Sequence, residues 1–264
     1  EDIFSLNGQE LESDFTLITA NRKSEKISET NTVIGSGKIF IESGATVEGA
    51  MLNASNGSIY IGKNAEVMEG SIVRGGLALC ESATLKLGSK IYGPTTVGPH
   101  SKVGGEVNNS VIIGYSNKGH DGFLGNSVIG EWCNLGADSN NSNLKNNYAD
   151  VKIWSYVDKR FRDTGKQFCG LIMGDHSKCG INTMFNTGTV VGVSANIFGA
   201  GFPRNFVPSF AWGGAAGYST YQLRKANQTA KLVMERRAIE YDAVEEGIVE
   251  HVFNETKANR FWEV

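Results

Sequence analysis

Residues 61–103 read IGKNAEVMEGSIVRGGLALCESATLKLGSKIYGPTTVGPHSKV, and an aliphatic residue recurs in this stretch at every sixth position. The members of the series are Ile61, Val67, Val73, Leu79, Leu85, Ile91, Val97 and Val103. A strict period of six is produced neither by an amphipathic helix, with about 3.6 residues per turn, nor by a half-buried strand, which alternates. In an antiparallel sandwich, eight consecutive aliphatic residues would have to fall at this spacing by chance. Six residues must therefore form one structural unit.

The simplest unit of six residues is a short strand followed by a turn, with one aliphatic side chain pointing inward. Three such units close a triangular coil of about 18 residues, and successive coils stack about 4.8 Å apart, as neighbouring strands do. Small residues fit the corners, and glycine tolerates the positive φ of tight turns. The pattern predicts an all-β solenoid, a parallel β-helix of hexapeptide repeats with a continuous buried stack. We expect further members at Ile41, Val47, Ile129, Leu135, Met173, Cys179, Phe185, Val191 and Ile197.

The array divides the chain into three regions. Residues 1–31 are polar, and we interpret them as a linker or docking segment. Residues 32–217 are predicted to form the β-helix, with irregular loops near residues 104–123 and 140–169, where the hexads fail and a loop or an offset coil is needed. Residues 218–264 carry apolar residues at helical spacings and are predicted to form C-terminal helices, with Ser219 or Thr220 as an N-cap. Loops on a rigid scaffold are frequent places for function.

Composition excludes several classes of partner. The chain has 25 Lys and Arg against 28 Asp and Glu, so it lacks the basic surface of a nucleic-acid-binding protein. No apolar run approaches the roughly 18 residues that a membrane-spanning helix needs. The four cysteines form no CxxC pair and no secretory signal is present, which favours reduced thiols and a cytoplasmic location. We expect neither a nucleic-acid nor a membrane partner.

Residues 118–137 read KGHDGFLGNSVIGEWCNLGA and begin in the loop where the hexads first fail. This string resembles the acetyltransferase half of the bifunctional N-acetylglucosamine-1-phosphate uridyltransferases. The elements that match are a histidine preceded by Lys-Gly, an aromatic residue three positions later, Leu-Gly, an Ile-Gly repeat and Asn-x-Gly-Ala. The resemblance implies a left-handed β-helix, a homotrimer, and transfer of an acetyl group from acetyl-CoA to an amino-sugar phosphate, glucosamine-1-phosphate. Such a step belongs to the synthesis of UDP-N-acetylglucosamine.

The same resemblance implies that the chain is the C-terminal portion of a protein in which a nucleotidyltransferase domain comes first. The chain starts at Glu1 without a methionine, which agrees with an upstream portion having been removed. The Gly-x-Gly-Thr phosphate loop that would identify such a domain is absent from the sequence. We therefore do not expect uridylyl transfer from this chain alone.

Carried over residue by residue, the resemblance implies that His120 is the general base. The family has a lysine twelve residues before its histidine, and Asn108 stands at that position, so Arg74 or Lys90 is an alternative contact for the substrate phosphate. The remaining implied substrate contacts are Lys118, Phe123, Asn134, Asn147, Tyr148 and Lys166. The implied acetyl-CoA contacts are Gly136 and Ala137 at the thioester, and Gly180, Ile181 and Gly199 along the pantetheine arm.

The chemistry accounts for these residue types. A protonated amine cannot attack a thioester, so a base with a pKa near neutrality must take up the proton, and histidine titrates closest to that range. The oxyanion that forms on the thioester needs a positioned donor, for which the N–H groups of Gly136 and Ala137 are candidates. Acyl transfer of this kind needs no metal.

Other interpretations remain open from the sequence. His120 could be an ordinary surface histidine, and Asn134 could stabilise a coil turn. A zinc-dependent carbonic anhydrase on the same scaffold would need two histidines close in sequence, whereas His100 and His176 lie inside repeat units as expected turn residues. The chain could also be a non-catalytic trimerising or regulatory module of a sugar-1-phosphate nucleotidyltransferase, because Asn108 and Phe123 depart from the acetyltransferase pattern.

Overall fold

The computed structural model of the chain describes residues 1–263. They form two compact units, Glu1–Ile129 and the part from Gly130 onward, which are described in turn. One short strand, β17 (Val128–Glu131), crosses the boundary in the sequence. Among the described residues, no helix is both long enough and apolar enough to cross a membrane.

The first unit is a solenoid of three parallel sheets, preceded by helix α1 (Asp2–Thr19) and including a 3-10 turn at Ser36–Lys38. Sheet 1 contains β1 (Thr32–Ile34), β4 (Met51–Asn53), β7 (Ile72–Arg74), β10 (Lys90–Tyr92), β13 (Glu106–Asn108) and β16 (Phe123–Gly125). Sheet 2 contains β2 (Ile39–Ile41), β5 (Ile59–Ile61), β8 (Leu77–Leu79), β11 (Thr95–Val97) and β14 (Val111–Gly114). Sheet 3 contains β3 (Thr46–Val47), β6 (Glu66–Val67), β9 (Thr84–Leu85), β12 (Lys102–Val103) and β15 (Asn117–Lys118).

The eight aliphatic residues of the hexad series all point into the solenoid, each at most 1% exposed. They divide among the three sheets, and members of one sheet stand directly above one another, as Leu79 pairs with Val97 and Leu85 with Val103. The predicted parallel β-helix is therefore confirmed. Its left-handed sense is implied by the resemblance of residues 118–137 and remains a prediction.

The hexads fail after Val103 because the coils become shorter, while the strands continue to pair. Val97 pairs with Ile112 and Val103 pairs with Lys118, fifteen residues on, whereas Leu79 pairs with Val97, eighteen residues on. Only Gly104 and Gly105 separate β12 from β13. The shortened coil places Lys118 at the inward position that Leu85 and Val103 occupy in the coils before it.

Helix α1 packs against sheet 2 of the first unit. Its apolar residues Phe4 and Leu11 are buried. The Glu12 carboxylate accepts hydrogen bonds from the N–H and the hydroxyl of Ser58, at 2.6 and 2.8 Å. The Asn7 side chain donates to the carbonyl oxygen of Pro94 at 2.9 Å. These contacts hold α1 on the solenoid, in the segment that the sequence suggested as a linker or docking element.

The second unit repeats the parallel pattern. One sheet contains β18 (Asn134–Leu135), β23 (Lys178–Cys179), β26 (Asn196–Ile197) and β28 (Ala211–Gly214), with β29 (Gly217–Thr220) antiparallel to β28. A second contains β22 (Leu171–Met173), β25 (Thr189–Val191) and β27 (Phe206–Val207). The strands β19 (Asn140–Asn141) and β24 (Met184–Phe185) form a parallel pair. Between β19 and β22 the chain forms an antiparallel hairpin of β20 (Lys152–Ser155) and β21 (Arg160–Asp163). The predicted inward residues from Leu135 to Ile197 are buried.

Helices α2 (Leu223–Glu235) and α3 (Ala243–Glu255) follow, and a 3-10 turn at Lys257–Asn259 comes last. The prediction of an N-cap at Ser219 or Thr220 is wrong, because these residues pair with Trp212 and Ala211 in the β28–β29 ladder. Gln222 stands at the N-cap position without a side-chain hydrogen bond. The helices pack on the solenoid end through a cluster of Phe210, Tyr221, Ala226 and Val249.

Candidate functional site

The corner that carries His120 is residues 119–122, between β15 and β16. It lies directly on the glycine pair Gly104 and Gly105 of the preceding coil. A Cβ on Gly105 would stand 2.8 Å from the carbonyl oxygen of Gly122 and 2.9 Å from that of His120, and the φ of Gly105 is 72°, so only glycine fits there. The Gly104 N–H donates to the carbonyl oxygen of Lys118 at 2.7 Å. The backbone beneath His120 is thus held closely.

The side chain of Lys118 is 4% exposed, although lysine is rarely buried. Its Nζ donates a hydrogen bond to the carbonyl oxygen of His120 at 2.6 Å. A buried ammonium group needs such acceptors, because desolvation without a partner is costly. Lys118, implied as a substrate contact, therefore supports the backbone of the corner from inside the solenoid.

The imidazole of His120 lies at the surface and is exposed. Among residues 1–263 it has no hydrogen-bond partner. Together with the buried Lys118 and the stacked glycines, this makes the corner a fixed backbone that presents a free imidazole to solvent. Such a group is able to accept a proton from an incoming nucleophile.

Three of the implied substrate contacts lie on the outer face of sheet 1. Phe123 and Lys90 belong to one row, with Glu106 between them, so they are about 10 Å apart at two strand spacings. Arg74 lies on the neighbouring row, beside Tyr92. The Tyr92 hydroxyl donates to Glu106 at 2.5 Å, and burial together with this carboxylate raises the pKa of Tyr92 to about 12. The structure brings Phe123 and Lys90 onto one face, with a carboxylate between them.

In the second unit, the implied acetyl-CoA contacts lie on stacked corners. Gly136 and Gly180 follow the paired strands β18 and β23, and a Cβ on Gly136 would stand 2.4 Å from the carbonyl carbon of Gly180. Ile181 is 71% exposed beside them. Gly199 follows the next strand, β26, and is exposed with a φ of 99°. All five implied acetyl-CoA contacts therefore lie at corners that follow three consecutive strands of one sheet.

The two proposed oxyanion donors differ in this structure. The Gly136 N–H donates to the carbonyl oxygen of Cys179 at 3.0 Å, so it belongs to the coil ladder and is not free. The Ala137 N–H has no hydrogen-bond partner among residues 1–263. Asn134, on β18, is exposed and lies in a row with Lys178.

Asn147, Tyr148 and Lys166 lie in the segment around the hairpin of the second unit. The amide oxygen of the Asn147 side chain accepts a hydrogen bond from the N–H of Ala149 at 3.1 Å, which is a local turn contact. Tyr148 is 65% exposed, and its carbonyl oxygen accepts the side-chain amide of Gln167 at 3.0 Å. The structure thus brings Tyr148 close to the residue after Lys166, while the Asn147 amide oxygen serves the backbone.

His100 and His176 are turn residues, as predicted, with φ values of 57° and 59°. His176 is 8% exposed and stacks on Trp132 with ring centroids 6.3 Å apart. Burial, with a smaller contribution from the positive charge of Lys178, lowers the pKa of His176 to about 4. His176 is therefore neutral at physiological pH. Among residues 1–263, no group of three or more His, Cys, Asp or Glu side chains could hold a metal ion.

The second unit also contains a cleft of about 740 Å³ that the sequence did not identify as a site. Its walls come from the hairpin, β27 and the C-terminal 3-10 turn, and its lining includes Lys152, Trp154, Phe161, Arg204, Phe206 and Phe261. Trp154 and Phe161 lie inside the second interruption of the array, at residues 140–169. The sequence contained no signal for Arg204 or Phe261, because these residues join the cleft only through folding.

Partial similarity to known proteins confirms the predicted resemblance. The chain is 37% identical over 87 residues to the bifunctional protein GlmU of Methanocaldococcus jannaschii, which covers 33% of this chain and 21% of that protein. It is 30% identical over 144 residues to a bifunctional sugar-1-phosphate nucleotidylyltransferase/acetyltransferase of Sulfurisphaera tokodaii, which covers 54% of this chain and 35% of that protein. The chain thus spans about a fifth to a third of the length of these relatives. No family model matches it.

Among solved structures, the polySia-specific acetyltransferase NeuO aligns with 77% of this chain and 94% of its own. The sequence identity is 16% and the TM-score is 0.39. An overlap this loose carries no information on activity.

Proposed function

We propose that the chain transfers an acetyl group from acetyl-CoA to an amino-sugar phosphate, with glucosamine-1-phosphate as the acceptor, and that His120 is the general base. The observation that carries the proposal is the free, exposed imidazole of His120 on a backbone held by Lys118 and Gly105. The name of the Sulfurisphaera tokodaii relative, a bifunctional sugar-1-phosphate nucleotidylyltransferase/acetyltransferase, supports the choice of an acetyl group and of a sugar-phosphate substrate.

In the proposed reaction, the amine nitrogen of the sugar attacks the thioester carbonyl carbon of acetyl-CoA. His120 accepts the proton that the amine loses, and a backbone N–H donates to the oxyanion. The carbon–sulfur bond then breaks, and the thiolate of CoA leaves with the proton returned from His120. The products are the N-acetylated sugar phosphate and free CoA. Catalysis by a positioned base of this kind contributes about 10²–10⁴-fold to a rate.

The remaining assignments follow the same proposal. Phe123 contacts the sugar, and Lys90 or Arg74 contacts its phosphate from the outer face of sheet 1. Asn134, Tyr148 and Lys166 are proposed as further acceptor contacts in the second unit. The pantetheine arm lies along the corners that contain Gly136, Gly180, Ile181 and Gly199.

The test is CoA release with glucosamine-1-phosphate and acetyl-CoA. His120→Asn is expected to lower turnover by about 10²–10⁴-fold while folding is kept, because the exposed side chain fills no core space. His176→Asn is the matched control, since His176 is a buried turn residue and asparagine tolerates its positive φ. We expect this variant to remain within a few-fold of the parent.

Equal turnover of the parent and His120→Asn would contradict the assignment of the base. A parent that acetylates no amino-sugar phosphate would contradict the enzymatic proposal as a whole and would favour a trimerising or regulatory module.

A further inference from the structure

The cleft of the second unit combines positively charged side chains with exposed aromatic rings. Two of its cations, Lys152 and Arg204, have no ion-pair partner among residues 1–263. Two of its aromatic rings, Phe161 and Phe261, are 44% and 49% exposed. No Asp or Glu belongs to the lining. A pocket with free positive charge and exposed aromatic faces is suited to a ligand that is both anionic and planar.

The aromatic wall is a pre-assembled stack. The rings of Trp154 and Phe206 are parallel, with centroids 4.2 Å apart and an interplanar angle of 12°. Phe161 meets Trp154 edge-on at 5.5 Å, from the directly opposite position of the hairpin. Because Trp154 and Phe206 support each other, the wall needs little rearrangement to receive another ring.

The positive charge comes from two different elements. Lys152 lies two residues before Trp154 in β20 and therefore on the same face of the hairpin. The Arg204 guanidinium stands over the ring of Phe261, 5.4 Å from its centroid, and its N–H groups make no hydrogen bond among residues 1–263. The third cation, Lys145, already donates to the carbonyl oxygen of Asp150 at 2.5 Å. Asp163 lies opposite Lys152 in the hairpin but does not line the cleft.

We propose that this cleft binds a nucleoside phosphate. The base would stack on the exposed aromatic wall, and the phosphate would be neutralised by Lys152 and Arg204. The volume of about 740 Å³ lies within the range of about 300–1,000 Å³ that is usual for small-molecule sites. Two kinds of ligand contain a nucleoside phosphate of this type, namely CoA and a nucleotide-linked sugar. The inference does not depend on the role of His120.

Calorimetric titration of the whole chain with UDP and, separately, with adenosine 3′,5′-bisphosphate tests the proposal and distinguishes the two kinds of ligand. We expect one of these nucleotides to bind, and its affinity to fall as salt is added. Arg204→Gln and Phe161→Ala should each weaken binding by about tenfold or more, since they remove a phosphate contact and a stacking surface.

Arg160→Gln is the matched control. Arg160 precedes Phe161 in the same strand, is exposed, and lies on the opposite face of the hairpin, outside the cleft. Binding should stay within twofold of the parent. The proposal is overturned if neither nucleotide binds at millimolar concentration, or if Arg160→Gln weakens binding as much as Arg204→Gln. It is also overturned if ribose 5-phosphate, which lacks the base, or uridine, which lacks the phosphate, binds as tightly as the nucleotide.

Discussion

His176 is a buried titratable residue whose protonation is coupled to stability. It is 8% exposed, stacks on Trp132, and its Nδ1 has no hydrogen-bond partner among residues 1–263. The Lys178 ammonium group donates to the His176 carbonyl oxygen at 2.8 Å and adds positive charge nearby. Burial and this charge lower the pKa from 6.5 to about 4. The folded protein therefore disfavours the imidazolium form, which the unfolded chain accepts freely.

A stability profile against pH follows from this shift. Well above pH 6.5 His176 is neutral in both the folded and the unfolded state and contributes no pH dependence. As the pH falls from 6.5 towards 4, the unfolded chain takes up the proton first, so stability is lost, by roughly 3 kcal/mol at the lower end. Urea unfolding of the parent and of His176→Asn at several pH values measures this loss. The difference in unfolding free energy, parent minus variant, should decrease by this amount. A difference that stays constant between pH 7 and 4.5 would contradict the shifted pKa.

The coil is the repeating element, and its inward positions carry most of the stabilising contacts. Leu85 stands between Val67 and Val103 in sheet 3 and is 0% exposed. Leu87, two residues later, is 66% exposed at the corner. The same residue type thus occupies a core position and a surface position within one coil, which provides an internal comparison.

Leu85→Ala should lower the free energy of unfolding by about 2–5 kcal/mol, because it removes buried methyl groups and leaves a cavity. Leu87→Ala should change it by less than about 0.5 kcal/mol, as is usual for surface substitutions. Denaturant unfolding followed by circular dichroism measures both. Equal losses of unfolding free energy in the two variants would show that the buried aliphatic column does not stabilise the solenoid.

At the scale of the whole molecule, the first three strands of sheet 1 expose apolar side chains on their outer face. Ile34, Met51 and Ile72 are each more than 40% exposed, and Met51 and Ile72 are direct partners in the sheet. The resemblance of residues 118–137 implies a threefold-symmetric trimer, in which such faces are covered by other copies of the chain. This face is our candidate for the interface.

Sedimentation velocity at micromolar concentration should show a trimer, and Ile72→Glu should shift it towards the monomer, since a carboxylate would be buried without a partner. Ile113→Glu is the control, because Ile113 is 42% exposed and lies in sheet 2. A stable monomer of the parent would contradict the trimer. A trimer that tolerates Ile72→Glu would place the interface elsewhere.

The hexad series by itself determined which residues point inward, because a strict period of six ties each aliphatic position to one direction of its side chain. The same reasoning located the first interruption at Gly104 but could not show that the coil merely becomes shorter. Only the tertiary structure decided that Lys118 turns inward, since its direction depends on how the corner of Gly104 and Gly105 stacks under the next one. The cleft was equally beyond sequence reasoning, because Lys152, Arg204 and Phe261 are far apart along the chain and their meeting depends on non-local packing. A local sequence pattern determines the direction in which each side chain points. Which residues form a site depends on contacts between segments that are distant along the chain.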